Sequence, residues 1–230
     1  MSTILLIRHG QASFAASDYD QLSAAGVRQA EILGAALLAR QTCPDQVLCG
    51  GMRRHQQTAT ACLQAMDLPA EWQQDRAWDE YDHNDVLAGL DPRYREQSAI
   101  AADLARMDNP REAFQSLFAR AVARWTDGQH DAEYRETWSQ FCTRVTDGLE
   151  RLAGTLTRSQ TALVFTSGGA ISVVCQRLLG LPAERALRLN WTIANASVTK
   201  LLVGRGGIHL STLNEHSHFE GPQSALITYR

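Results

Sequence analysis

Compact apolar runs alternate along the chain with longer segments of helical period. Ile4-Leu5-Leu6-Ile7, Gln46-Val47-Leu48-Cys49 and Thr161-Ala162-Leu163-Val164-Phe165-Thr166 have the pattern of short strands buried on both faces of a parallel sheet. Val27, Ala30, Leu33 and Leu37 recur on one helical face behind Ser23, a good N-cap residue, and predict a helix to about Arg40. A second helix is expected from Met52 to about Met66. A third runs from Ala170 to Leu179, ended by Gly180-Leu181-Pro182. Ser197–Val203 and His209–Leu213 read as two closing strands around the turn Gly204-Arg205-Gly206-Gly207, and Ala225–Thr228 as a last β-like piece.

From Pro92 to about Gly154 the period is helical almost throughout. Leu104 and Met107 mark one helix; Phe114, Leu117, Phe118, Val122 and Trp125 a second; Trp138, Phe141, Val145, Leu149 and Leu152 a third. The pattern predicts an α/β domain over residues 1–230, a three-layer sandwich with a mostly parallel central sheet. The helical insertion over about 92–154 is expected to fold over the sheet face as a lid or pocket wall. Trp78-Asp79-Glu80-Tyr81-Asp82-His83-Asn84-Asp85 follows neither period and reads as a loop, either merely solvated or carrying general-acid candidates.

Composition narrows the class without deciding it. Apolar residues make up 44% and charged residues 20% of the chain, an ordinary globular profile. A formal net charge of −3 gives no electrostatic reason to expect nucleic acid or an anionic membrane as partner. No apolar run reaches the ~20 residues of a membrane span, and the N-terminus lacks a signal-peptide pattern, so a cytoplasmic location is expected. The five cysteines form no CxxC pair and read as free thiols of a reducing compartment.

Chemistry-bearing residues gather where predicted strands end. Arg8-His9-Gly10 follows the first strand, Arg53-Arg54-His55 the second, and Ser167-Gly168-Gly169 that of Thr161–Thr166. Open α/β sheets bind ligands at such strand ends. Cations are disfavoured at a helix N-terminus, so Arg53 and Arg54 there mark either a solvated basic turn or an anion site. His55 either lines that anion site or caps the helix, and the cap is the favoured reading. His216 and His218 share a face if they lie on a strand, but no further ligand joins them at metal-binding spacing. Ser167 sits at a strand-to-helix junction, yet Phe165 stands where a nucleophile elbow needs glycine.

Taken together, these stretches resemble the histidine phosphatase superfamily, the phosphoglycerate mutase-like phosphatases. Leu6-Ile7-Arg8-His9-Gly10 looks like its N-terminal signature. Leu22-Ser23, Gly26 and Gln29-Ala30 resemble its first helix, Arg54 with Gln57-Thr58-Ala59 its second arginine motif, and Asn214 and His218 its C-terminal pattern. The resemblance implies His9 as a nucleophile that forms a phosphohistidine. It implies Arg8 and Arg54 as phosphate ligands and Glu80, with Asp82 as the neighbouring alternative, as general acid. Ser167 and Gly168 would complete the phosphate site.

The implied activity is a metal-independent phosphatase acting on a small phosphorylated substrate, with inorganic phosphate as product and no cofactor; a homodimer is compatible with it. One position departs from the pattern. Ser167 stands where the family carries a second histidine, which leaves a catalytically weak phosphate-ligand binder as the alternative, and Ala15 stands where mutases carry asparagine. Restoring a histidine at 167 is expected to raise turnover.

Overall fold

A computed structural model describes residues 1–13 and 20–229 of the chain; Ala15 lies outside them. The elements run β1 (Ser2–Arg8), α1 (Ala24–Ala39), β2 (Gln46–Cys49), α2 (Arg53–Ala65), β3 (Gln73–Gln74), α3 (His83–Leu90), α4 (Gln97–Leu104), α5 (Pro110–Thr126), α6 (Trp138–Thr155), β4 (Thr161–Thr166), α7 (Gly168–Leu179), α8 (Ala183–Asn190), β5 (Val198–Gly204) and β6 (Gly207–Glu215). Two compact units result: Met1–Glu80 together with Val145–Arg230, and Tyr81–Arg144.

The first unit carries a six-stranded sheet in the order β3-β2-β4-β1-β5-β6. β3, β2, β4 and β1 run parallel, and β5 is antiparallel to both β1 and β6. The fold is thus α/β with a mostly parallel central sheet, as the apolar runs predict. Leu5, Ile7, Leu163, Phe165 and Cys49 turn one way and pack with Leu33 and Leu37 of α1 and Ala59, Cys62 and Leu63 of α2. Strand alternation sends Ile4, Leu6, Ala162 and Val164 to the opposite face, where they too are fully buried. Each such aliphatic side chain contributes ~1.5–3 kcal/mol of hydrophobic stabilisation.

Register decides what meets at the top of this sheet. Arg8 pairs with Thr166 and Cys49 with Phe165. The next amides continue the ladder: His9 N–H donates to Thr166 O at 2.9 Å and Gly50 N–H to Phe165 O at 3.0 Å. His9, Gly50 and Ser167 therefore emerge side by side at the carboxyl ends of three neighbouring strands.

α1 starts where expected, with Ser23 Oγ accepting from Gly26 N–H at 3.1 Å. Gly10 and Gly26 lie backbone to backbone: a Cβ on Gly10 would meet the Gly26 carbonyl, and one on Gly26 the Gln11 carbonyl. α7 ends at Gly180 in the left-handed conformation, φ 64°, which glycine adopts at no steric cost.

In the second unit Tyr81, Trp125, Trp138 and Phe141 form an aromatic cluster with ring centroids 4.8–5.9 Å apart. Asp82 caps α3, accepting from Asn84 N–H at 2.9 Å and Asp85 N–H at 3.2 Å.

Some expected details differ. The acidic run includes the start of α3, and α8 follows Pro182. Met107 lies beyond α4 and is exposed, as is Val27, whose place on the buried face of α1 is taken by Gly26 and Gln29. The segment Gly221–Leu226 is a 3₁₀ turn rather than a strand, with Gly221 at φ 72° and Pro222 following it. Pro222 has no backbone N–H to give to a ladder. Among the described residues no helix is long and apolar enough to cross a membrane.

Candidate active site

The site is built on the strand ends of the first unit. His9 is buried just past β1, and its Nδ1–H donates to the Gly10 carbonyl at 2.7 Å. A carbonyl only accepts, so this bond fixes the proton on Nδ1 and leaves a lone pair on Nε2. Arg54 Nε donates to that Nε2 at 3.3 Å. Burial, with Arg54, Arg8 and His55 nearby, holds the His9 pKa well below its ordinary value. The imidazole is consequently neutral at physiological pH, with its free nitrogen directed at an arginine.

Both arginines are buried and fixed from behind. Arg8 NH1 donates to the Ile193 carbonyl, and Ala196 N–H returns to the carbonyls of Arg8 and His9 at 3.1 and 3.2 Å. Asn195 Nδ2 adds a bond to the His9 carbonyl at 3.1 Å. Asn214 holds this loop in turn, accepting from Ala194 N–H at 2.7 Å and donating to Thr192 O at 2.8 Å. Arg54, in the first turn of α2, binds Asp20 through NH1 at 2.8 Å, and the same carboxylate accepts from Arg53 N–H at 2.8 Å. Thr58 links the two motifs, accepting from Gly10 N–H at 3.0 Å and donating to Arg54 O at 2.7 Å.

Glu80 reaches the site through three consecutive anchors. Thr166 Oγ1 donates to Trp78 O at 2.7 Å, Gly51 N–H donates to the Asp79 carboxylate, and Gly169 N–H donates to Glu80 Oε2 at 3.0 Å. The Glu80 carboxyl group thus lies buried at the N-terminus of α7. Gly168 sits beside Arg8 and Asn190: a Cβ there would overlap Asn190 Oδ1 and come 3.5 Å from Arg8 Nε.

Ser167, fully buried at the N-cap of α7, forms no cap bond; its Oγ lies 2.6 Å from His55 Nε2. Of the two sequence readings of His55, its contact with Ser167 supports a place beside the site, and the favoured one, a helix cap, is corrected. His9, Arg8, Arg54, Glu80, Ser167 and Gly168 all gather at this end of the sheet, whereas Asp82 serves as the cap of α3.

His216 Nδ1 faces Asn214 O at 2.6 Å and His218 Nε2 faces Ala196 O at 3.1 Å, so the two rings bind separate carbonyls. Among the described residues no three His, Cys, Asp or Glu side chains are grouped to hold a metal ion.

The profile of the histidine phosphatase superfamily (branch 1) matches residues 4–127 and 90–216. The chain belongs to this superfamily. Solved structures of similar fold include phosphoserine phosphatase of Entamoeba histolytica, a mutant in complex with phosphoserine. It is 14% identical, with a TM-score of 0.64, over 95% of this chain and 99% of that one. Phosphoglycerate mutase of Bacillus anthracis is 18% identical, with a TM-score of 0.63, over 94% of each chain. Alpha-ribazole phosphatase of Shigella flexneri is 20% identical, with a TM-score of 0.61, over 93% of this chain and 96% of that one. No curated protein matches at the sequence level.

Sequence reasoning left out Asp20 and Asn195, and it named Thr58 only as part of the second arginine motif, with no role of its own. Asp20 and Asn195 lie in loops whose position only the folded chain reveals. Thr58 had a signal, its place four residues after Arg54, which puts both on one helical face.

Proposed function

We propose that the protein is a metal-independent phosphomonoesterase that works through a phosphohistidine on His9. The observation that carries this reading is the His9 ring itself, with Nδ1–H held by Gly10 O at 2.7 Å and the Nε2 lone pair facing Arg54 at 3.3 Å. A neutral imidazole attacks without a separate base, and fixed guanidinium donors receive the equatorial phosphoryl oxygens, whose charge they offset.

In the first step the Nε2 lone pair forms an N–P bond while the P–O bond to the alcohol breaks. The departing oxygen takes its proton from the Glu80 carboxylic acid and leaves as the free alcohol. In the second step the Glu80 carboxylate removes a proton from water, whose oxygen bonds to phosphorus as the N–P bond breaks. Phosphate and the neutral imidazole are regenerated. Arg8 and Arg54 clamp the group throughout, and the Ser167 hydroxyl and the Gly168 N–H at the start of α7 donate to it.

A small phosphate ester is the favoured substrate, in keeping with the phosphoserine and alpha-ribazole phosphatases of similar fold. Hydrolysis is favoured over mutase chemistry because Ser167 stands in place of the second histidine and adds no charge to those of Arg8 and Arg54.

Hydrolysis of p-nitrophenyl phosphate in excess EDTA tests the reading. Activity that is indifferent to EDTA and lost in His9→Ala supports it. A second reading, a phosphate-ligand binder with little turnover, draws on the uncharged Ser167 and on the Asp20 carboxylate, which already engages Arg54. Vanadate binding without hydrolysis would favour it.

A further inference from the structure

Position 167 carries only a hydroxyl, but that hydroxyl has an imidazole behind it. His55 is fully buried in the first turn of α2, its Nε2 2.6 Å from Ser167 Oγ and its ring centroid 5.7 Å from that of His9. The other edge of the ring rests on Gly50: a Cβ there would overlap His55 Nδ1. That Nδ1 has no hydrogen-bond partner among the described residues. A proton on Nδ1 would be a buried donor with no acceptor, whereas a proton on Nε2 meets Ser167 Oγ. The second tautomer is strongly preferred. Ser167 Oγ then accepts from His55, and its own O–H is released to point elsewhere.

We propose that His55 is a positioning residue that turns Ser167 into a dedicated phosphate donor. The imidazole occupies an Oγ lone pair, directs the hydroxyl proton into the pocket beside His9, and polarises the O–H it orients. The inference rests on the phosphatase reading of the site, but its core, the coupling of His55 to an anion through Ser167, is separable from turnover. No proton is transferred and no bond to phosphorus is made by either residue.

Two features oppose the other use of such a pair, a serine nucleophile with histidine as base. Among the described residues no third group orients Nδ1, and Ser167 has an ordinary extended conformation, φ −119° and ψ 167°. Burial and the neighbouring Arg54 also push the His55 pKa well below its ordinary value, which keeps the ring a neutral donor.

A double-mutant cycle on orthovanadate affinity, read by calorimetry beside kcat/KM for p-nitrophenyl phosphate, tests the proposal. His55→Ala and Ser167→Ala are each expected to weaken vanadate binding and kcat/KM by about a hundredfold, the cost of one lost transition-state donor. The double variant should be no worse than either single one, since the residues act as a unit. His55→Gln, which can present an amide N–H near the Nε2 position, should retain most of the wild-type value, and His55→Asn should not.

Additive losses, or equal behaviour of the Gln and Asn variants at unchanged Tm, would overturn the proposal. So would labelling of Ser167 by a fluorophosphonate. Because vanadate binding is read independently, a wild type that binds vanadate but hydrolyses nothing would sink the phosphatase reading. The cycle would still decide the His55–Ser167 coupling.

Discussion

Acid should destabilise this protein by an amount set largely by two histidines. His9 and His55 are both fully enclosed and both held well below the ordinary imidazole pKa, chiefly by burial and then by Arg54. In the unfolded chain each titrates near ~6.5. Below that value the unfolded state binds protons that the native state refuses. The stability that these groups contribute is therefore fully present above about pH 6.5 and is lost as pH falls toward their depressed native pKa values.

Between about pH 7.5 and about 5.5, an unfolded-state histidine goes from about a tenth to about nine-tenths protonated, which costs the native state ~1.4 kcal/mol per histidine. Two histidines cost ~2.7 kcal/mol, or a fall in Tm of roughly 5–11 °C for a chain of this size. His218, lowered to about 4 mainly by burial, adds a further ~1.4 kcal/mol with the same sign, for a wild-type loss of ~4 kcal/mol in all. Glu215, held at about 2 with Arg40 and Ser217 as partners, gives up its contribution only below this window. Calorimetry in phosphate-free buffer measures the effect. His55→Gln should lose ~1.4 kcal/mol less than the wild type over the same interval. A wild-type Tm flat across the interval, or an unchanged slope in His55→Gln, would refute the assignment of neutral, buried imidazoles.

Other expected outcomes follow from the same contacts. Glu80→Gln should lower kcat/KM, which reports the phosphorylation step, by ~10²–10⁴-fold on an alkyl phosphate, whose alkoxide needs a proton, and far less on p-nitrophenyl phosphate, whose phenolate leaves unaided. Equal losses on both substrates would remove Glu80 as the acid. Asp82→Ala should leave kcat unchanged and cost ~1 kcal/mol of stability as α3 loses its cap, visible as a lower Tm. Arg54→Lys should reduce kcat/KM by ~10²–10³-fold, because a lysine cannot face both His9 Nε2 and a phosphoryl oxygen with a planar fork. Ser167→His, expected from sequence to raise turnover, should instead cost ~1–3 kcal/mol by overpacking, since Ser167 is fully buried against His55. His55→Ala combined with Ser167→His should recover that loss, with Tm as the readout.

The chain's local patterns carried the framework of the first unit. β1, β2, β4, α1, α2 and α7 each hold a compact apolar run or a clear helical period, and they place His9, Arg54 and Ser167 at element ends. α3 was hidden because its buried positions, Val86, Leu87 and Ala88, are consecutive rather than periodic and follow an acidic, aromatic stretch. The choice between site and cap for His55 could not be made locally, because its burial depends on the pairing of β2 with β4, a contact between residues more than a hundred positions apart. The anchoring of Glu80 through Thr166, Gly51 and Gly169 is of the same kind, and no local period encodes it.

The loop of Glu80 was legible as a source of general-acid candidates, and the family resemblance singled out Glu80 within it. Asp20 and Asn195 act through side-chain bonds made from loops, where sequence leaves no spacing to read.

The central claim is that His9 carries the phosphoryl group between the two half-reactions. The most direct measurement is intact-mass and peptide mapping of enzyme quenched in alkali during turnover of p-nitrophenyl phosphate. The account predicts one phosphoryl group on the His9 peptide, lost on acidification and absent from His9→Ala. Turnover with no adduct, or an adduct that maps to Ser167 or survives in His9→Ala, would contradict it.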